Sequence, residues 1–160
     1  GGIIRPPINE GWSSGLIATQ LGLLVVFQWP IGNWLTNKDE KYGIKLSIIN
    51  FGFGCLLLTI SSLTEMGILF VLIGQVNIAI AISAFLPTAT EIVIKTPPEN
   101  KRGIAMALYS QCFAISALIA PILSGVIMDN TGSGFAFWLL LSITSFCLIP
   151  LSNQIIYKKN

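Results

Sequence analysis

Seven polar side chains lie inside long apolar stretches: Gln20, Gln28, Asn50, Gln75, Asn77, Glu91 and Gln111. A carboxamide donates and accepts hydrogen bonds at once, so it suits either of two tasks. It can tie one helix to another, or it can face a solute passing through a cavity. Gln20, Gln75 and Gln111 are the candidates for lining a substrate cavity. Asn50 reads as glue between helices. Glu91 is the one ionisable residue well inside an apolar stretch, about one helical turn before Lys95. It reads as a helix-end carboxylate paired with Lys95 or Arg102, or as half of a gate ion pair that breaks when one side opens. A proton-coupling role fits less well, because Glu91 lies near the end of its stretch.

Other chemistries are absent from the sequence. With no histidine there is no Ser-His-Asp triad and no imidazole proton shuttle. Cys55, Cys112 and Cys147 are far apart in apolar runs, without metal-ligand or disulfide-framework spacing. No metal or cofactor is called for, and the chain reads as a non-enzyme.

The elements that must position these residues follow from composition. Hydrophobic residues make up 53% of the 160, and charged ones only 10%, against about 25% charged in soluble domains. A net charge of +2 is too small for a nucleic-acid binder. Disorder needs low hydrophobicity and high net charge. A bilayer-spanning helix needs about 20 apolar residues, and five stretches qualify: 15–35, 46–63, 67–94, 104–128 and 135–157. The reading is all-α, an integral membrane bundle of five transmembrane helices partnered by the lipid bilayer. Short connections make the helices alternate in direction. Lys38, Lys41, Lys45, Lys95, Lys101, Arg102, Lys158 and Lys159 then share one side, and only Arg5 falls on the other. Cytoplasmic loops are rich in Lys and Arg, so that side, with the C-terminus, is expected to be cytoplasmic. An N-terminal segment on the outer side, with no initiator Met, suggests that at least one preceding helix is missing.

Small residues mark helix contacts in lipid. Gly15, Ala18, Thr19 and Gly22 share a face of the first helix. Gly74, Asn77, Ala81, Ala84, Thr88 and Glu91 form a stripe on the third. Ser110, Ala114, Ala117, Pro121 and Ser124 do so on the fourth. The second and fifth helices are more uniformly apolar, so the expectation is three inner helices and two peripheral ones. Pro30, Pro87 and Pro121 are candidate kinks or hinges, since proline removes a helical hydrogen bond. Trp12, Trp29, Trp34 and Tyr157 are expected interfacial anchors.

Three stretches resemble the major facilitator superfamily of secondary transporters. Phe27–Lys38 with the basic loop to Gly43 is similar to the family's Gly-x-Leu-x-Asp-Arg-x-Gly-Arg loop, with Asn37 in place of the aspartate. Asp39 or Glu40 is the nearest substitute. Pro97-Pro98-Glu99-Asn100-Lys101-Arg102-Gly103 is similar to the Pro-x-x-x-Arg-Gly start of the fifth or eleventh helix. Ala120–Asp129 with Gly132 resembles the Gly-Pro-x-x-x-Gly stretch that closes that helix, with Ala120 replacing the first glycine.

The resemblance implies a partial fold of twelve helices in two halves. Five helices fit eight to twelve, which the short tail favours, or two to six. It further implies that the first, third and fourth helices line a central cavity. The expected protein is a secondary active transporter of the plasma or bacterial inner membrane. It would work by alternating access, with the missing N-terminal half and a small-molecule solute as partners and a proton as one candidate coupling ion. Asp39, Glu91 and Arg102 are its candidate cytoplasmic charge network. The alternative is a small five-span, non-transporting membrane subunit or scaffold protein.

Overall fold

The structure, a computed structural model, describes residues 2–5 and 9–157, with the side chains of 10 and 153–157 excepted. Lys158, Lys159 and the Tyr157 side chain therefore lie outside the described residues. Five long helices are present among those described: α1 (Glu10–Leu35), α2 (Glu40–Ser61), α3 (Gly67–Lys95), α4 (Arg102–Thr131) and α5 (Phe135–Tyr157). A single 3-10 turn, Glu99–Lys101, leads into α4. All five are long and apolar enough to cross a membrane.

Several helix ends are set locally. The Asn9 side chain accepts from the Gly11 N–H at the start of α1, the usual service of a polar N-cap. Gly132 stops α4 in the left-handed region (φ 67°), and its N–H donates to the Met128 carbonyl at 2.8 Å. Only a residue without a Cβ takes that conformation at little cost. Helices α1, α3, α4 and α5 run through Pro30, Pro87, Pro121 and Pro150 respectively without interruption.

Helix contacts run in the order α5–α2–α3–α1, and α4 touches α3 and α5 only lightly. Within this chain, then, α2 is packed on two sides, against α3 and α5, and α3 likewise, against α2 and α1. The α2 glycines explain why. A Cβ at Gly43 would lie 2.1 Å from Thr88 Oγ1, and one at Gly54 would lie 2.7 Å from Ile78 Cγ1 and 3.1 Å from the Gly74 carbonyl. On the opposite side a Cβ at Gly52 would meet the Phe146 ring at 3.0 Å. The buried core is accordingly made of small side chains, with Cys55, Ala79, Ala84, Ser61 and Ser142 almost fully enclosed. This is how helices attract in lipid, where burying a large apolar group offers little advantage.

Two serines of α5 join it to α2. Ser142 Oγ donates to the Gly52 carbonyl at 3.0 Å, and Ser145 Oγ to the Ile48 carbonyl at 2.8 Å. Asn50, expected to bridge helices, instead donates to Leu46 of its own helix at 2.8 Å. Single interhelical hydrogen bonds in membranes average about 0.6 kcal/mol. The double change Ser142→Ala with Ser145→Ala is therefore expected to lower stability by about 1 kcal/mol. Asn50→Leu is expected to leave it nearly unchanged, and equilibrium unfolding in mixed micelles reads both.

The N-terminal segment sits on the α2–α3 turn. The Ile4 N–H donates to the Ser62 carbonyl at 2.9 Å, and Arg5 Nη1 to Ser61 Oγ at 3.4 Å. Partial burial lowers the Arg5 pKa from its ordinary value. The remaining basic residues among those described lie at the opposite end of the bundle, which carries the α1–α2 loop and the 3-10 turn.

Candidate functional site: the α1–α3 fork

Helices α1 and α3 run parallel. Near the Arg5 end they are joined by a side chain: Gln75 Nε2 donates to the Leu16 carbonyl at 2.9 Å. Gln20 lies one turn further along α1, and both its amide atoms are buried without a hydrogen-bond partner among the described residues. Gln75 Oε1 is in the same condition. An amide atom buried this way is costly unless something polar meets it. The α1–α3 contact thus brings together Gln20 and Gln75, two of the three expected cavity residues. Gln111 is exposed on α4, a helix that makes no contact with α1.

Toward the basic end the two helices part around an open groove of about 560 Å³. Gln28 and Gly32 of α1 face Pro87, Thr90, Glu91 and Lys95 of α3 across it, with Leu86 and Ile94 as apolar wall. Two of the candidate hinge positions are placed here or beside it: Pro87 lines the groove, and Pro30 lies between Gln28 and Gly32 in sequence. Pro121 is exposed on α4, away from this contact. Thr90 Oγ1 donates to the Leu86 carbonyl at 2.8 Å, so its lone pairs remain available as acceptors.

At the mouth of the groove Lys95 Nζ is held by two carboxylates. Glu91, one turn earlier on α3, is the first, and Glu40 at the start of α2 is the second, at 3.4 Å. The other expected charge-network residues pair locally: Asp39 with Lys41 at 3.0 Å, and Arg102 with Glu99 at 3.5 Å. Asp39, Glu91 and Arg102 therefore pair with three different partners, Lys41, Lys95 and Glu99, and Glu40–Lys95 links α2 to α3. Lys95 is more than half exposed, and such pairs contribute about 0–1 kcal/mol. Their value here is positional, because one ammonium fixes the end of α3 to the start of α2. Reading along the chain named Gln28 and Glu40 without placing them at this groove, and it missed Lys95 as a bridge between helices, Gly32 and Thr90. The Gln28/Gly32 and Glu91/Lys95 spacings of four were the signals available for them.

The faces left uncovered are as informative. The helices α1 and α4 carry the small-residue faces expected from the sequence, yet a Cβ at Gly15, Gly22 or Gly125 would meet nothing within 4 Å. Large side chains such as Val25 (75% exposed) and Leu118 (68%) flank them.

Comparison with known proteins agrees with these features. The chain is 27% identical over 128 residues to the multidrug export protein EmrB of Escherichia coli (strain K12), covering 79% of this chain and 24% of that one. It is 26% identical over 138 residues to the lincomycin resistance protein LmrB of Listeria monocytogenes, covering 86% and 27%. It is 26% identical over 143 residues to the aspyridones efflux protein of Neocamarosporium betae, covering 88% and 24%. The chain thus spans about a quarter of the length of these relatives. No solved structure matches significantly. The profile described as Major Facilitator Superfamily matches residues 9–153. With five apolar helices, small-residue packing and a proline-containing α1–α3 fork in that same stretch, the chain belongs to the Major Facilitator Superfamily.

Proposed function

We propose that this chain forms part of a secondary active transporter that exports a small amphipathic solute by alternating access. The observation that carries the reading is the contrast between helices. On α2 and α3 small residues are used up in close contacts, whereas the equivalent faces of α1 and α4 have no neighbour among the described residues. Those faces suit a second bundle, and rocking of two bundles about a midplane site is the family's mechanism. The quarter-length match to the relatives is consistent with a second bundle elsewhere in the protein. The names of three relatives refer to export, resistance or efflux, which favours export.

In this reading the basic end is cytoplasmic, as the asymmetry of Lys and Arg favours, in a plasma or bacterial inner membrane. Gln20, Gln75 and Gln111 line the solute path. The Glu40–Lys95–Glu91 group holds the cytoplasmic side in one of its two arrangements, and Pro30, Pro87 and Pro121 absorb the helix bending. Proton coupling would supply the driving gradient.

The test is solute flux through the intact protein in proteoliposomes. Changing Gln20, Gln75 and Gln111 together to Ala is expected to lower flux at least tenfold, since each lost amide contact removes about 1 kcal/mol. Unchanged flux with the protein folded would remove these residues from the path.

A further inference from the structure

The seam between α1 and α3 carries a third buried polar group besides Gln20 and Gln75. Ser83 is only 2% exposed, and its Oγ has no hydrogen-bond partner among the described residues. At about 3.6 residues per turn, Ser83 falls on the same face of α3 as Gln75, Ala79, Leu86 and Thr90. That face is the one turned to α1. Gln75 bonds to Leu16 at one end of it, and Leu86 and Thr90 share the groove with Gln28 and Gly32 at the other. Both contacts fit one parallel register. It sets Gln20 beside Ala79, about one turn from Gln75 and about one turn from Ser83.

Ser83 carries a second unmet need. Pro87, four residues on, has no N–H, so the Ser83 carbonyl loses its helical donor. In hydrocarbon a carbonyl freed this way must be met by a neighbouring side chain or by water. The Ser83 hydroxyl does not donate to a carbonyl of its own helix, as the hydroxyls of Thr59 and Thr90 do. Beside it stand the Gln20 amide, with both atoms buried and unmet, and Gln75 Oε1. The set offers amide and hydroxyl donors, carbonyl and hydroxyl acceptors, and no formal charge. A cation would meet the Gln20 N–H groups, and an anion the carbonyl oxygens. Water donates and accepts in equal measure, and about three such partners hold one. Ala79, fully buried between Gln75 and Ser83, leaves the space that a larger side chain would take.

We infer that the α1–α3 seam is an internal water site, held by Gln20, Gln75 and Ser83, that hydrates the Pro87 break in α3. The water supplies the donor that Pro87 lacks. When α3 bends at Pro87 the Ser83 carbonyl moves, and a water tethered to flexible amides follows it where a backbone N–H could not. The groove begins at Leu86, within about one turn of Ser83, and gives water its way in. The hinge role rests on the transporter reading; the hydration does not.

The sign of a stability change tests the site. Replacing a buried polar group that nothing meets with an apolar one strengthens a fold, whereas removing one that holds a water weakens it. In the intact protein in mixed micelles, Gln20→Met and Ser83→Ala are each expected to raise the unfolding constant about threefold to fivefold, the worth of one hydrogen bond. Together they should raise it by less than the product, because both hold the same water. A lower unfolding constant in either single variant, or a double variant at the full product, overturns the inference. Hydroxyl-radical labelling by X-ray pulses, just after mixing into heavy-oxygen water, reads the water itself. Leu24, set opposite Ser83 by the same register, should take up the light isotope from trapped water in the wild type and lose that label in the double variant. Coupling without the label means that the side chains bond each other directly, which also overturns the water site. If Gln20→Met fails to fold, Ser83→Ala with the labelling still decides it. Flux through proteoliposomes separates the two readings. Pro87→Ala returns an N–H to the Ser83 carbonyl and should lower flux about threefold or more, the effect of one hydrogen bond on a two-state ratio; full flux removes the hinge role. Label and coupling with no flux of any solute would end the transporter reading while the water site stands. Flux without label or coupling would end the water site while transport stands.

Discussion

Gly43→Ala is expected to destabilise the intact protein by about 1–3 kcal/mol, the usual cost of overpacking, although alanine is the better helix former by about 1 kcal/mol. The new Cβ would lie 2.1 Å from Thr88 Oγ1 and 2.9 Å from both Thr88 Cβ and Cγ2. Rotating the threonine does not relieve the clash, because its Cβ stays where it is. The two helices must separate, and the close α2–α3 contact continues through Gly54 and Gly74. Thr88→Gly in the same chain removes the obstruction. The helix-propensity gain at position 43 and the loss at 88 are each about 1 kcal/mol and cancel, so the pair should recover most of the loss. Thr88→Ser keeps the Cβ and should rescue poorly. Unfolding midpoints in mixed micelles measure all four proteins. Wild-type stability in Gly43→Ala would mean that α2 and α3 do not approach as closely as described.

The same contact explains what could and could not be read from the sequence. Five helices were legible because the thickness of a bilayer sets a length that apolar runs either reach or miss. The α1 and α4 faces were legible because their small residues fall on one stripe each. The two-sided packing of α2 was not. Gly43 and Gly54 point to α3, whereas Gly52 lies against Phe146 of α5. A helix packed on two sides spreads its small residues around the circumference, so no stripe forms and it reads as uniformly apolar. The fork was half legible. The amides Gln20 and Gln75 stood out as polar groups in hydrocarbon. Gly32, whose contribution is an absent side chain, and Thr90, whose hydroxyl donates within its own helix, did not. The Glu91–Lys95 pair follows from a spacing of four. Glu40 lies 55 positions from Lys95 and meets it only because α2 and α3 run antiparallel in this register.

That long-range pair carries the second large effect. Lys95→Glu would place a third carboxylate beside Glu40 and Glu91, and like charges at this distance repel. Stability should change by less than about 1 kcal/mol, because the groups are largely exposed. In the proposed transporter, flux is expected to fall up to about fivefold, since the basic end could no longer be held by the α2–α3 link, and a shift of about 1 kcal/mol between two states is about a fivefold change in their ratio. Glu40→Lys should impair flux as well, by setting two ammonium groups against each other. Combining Lys95→Glu with Glu40→Lys reverses the pair and restores an attraction between the helices. Recovery of flux in the combined variant, with all unfolding midpoints close together, separates a gating link from a merely stabilising one. If both single variants transport at the wild-type rate, the pair is surface decoration. In the proposed transporter the hold on the basic end would then come from the uncovered faces of α1 and α4.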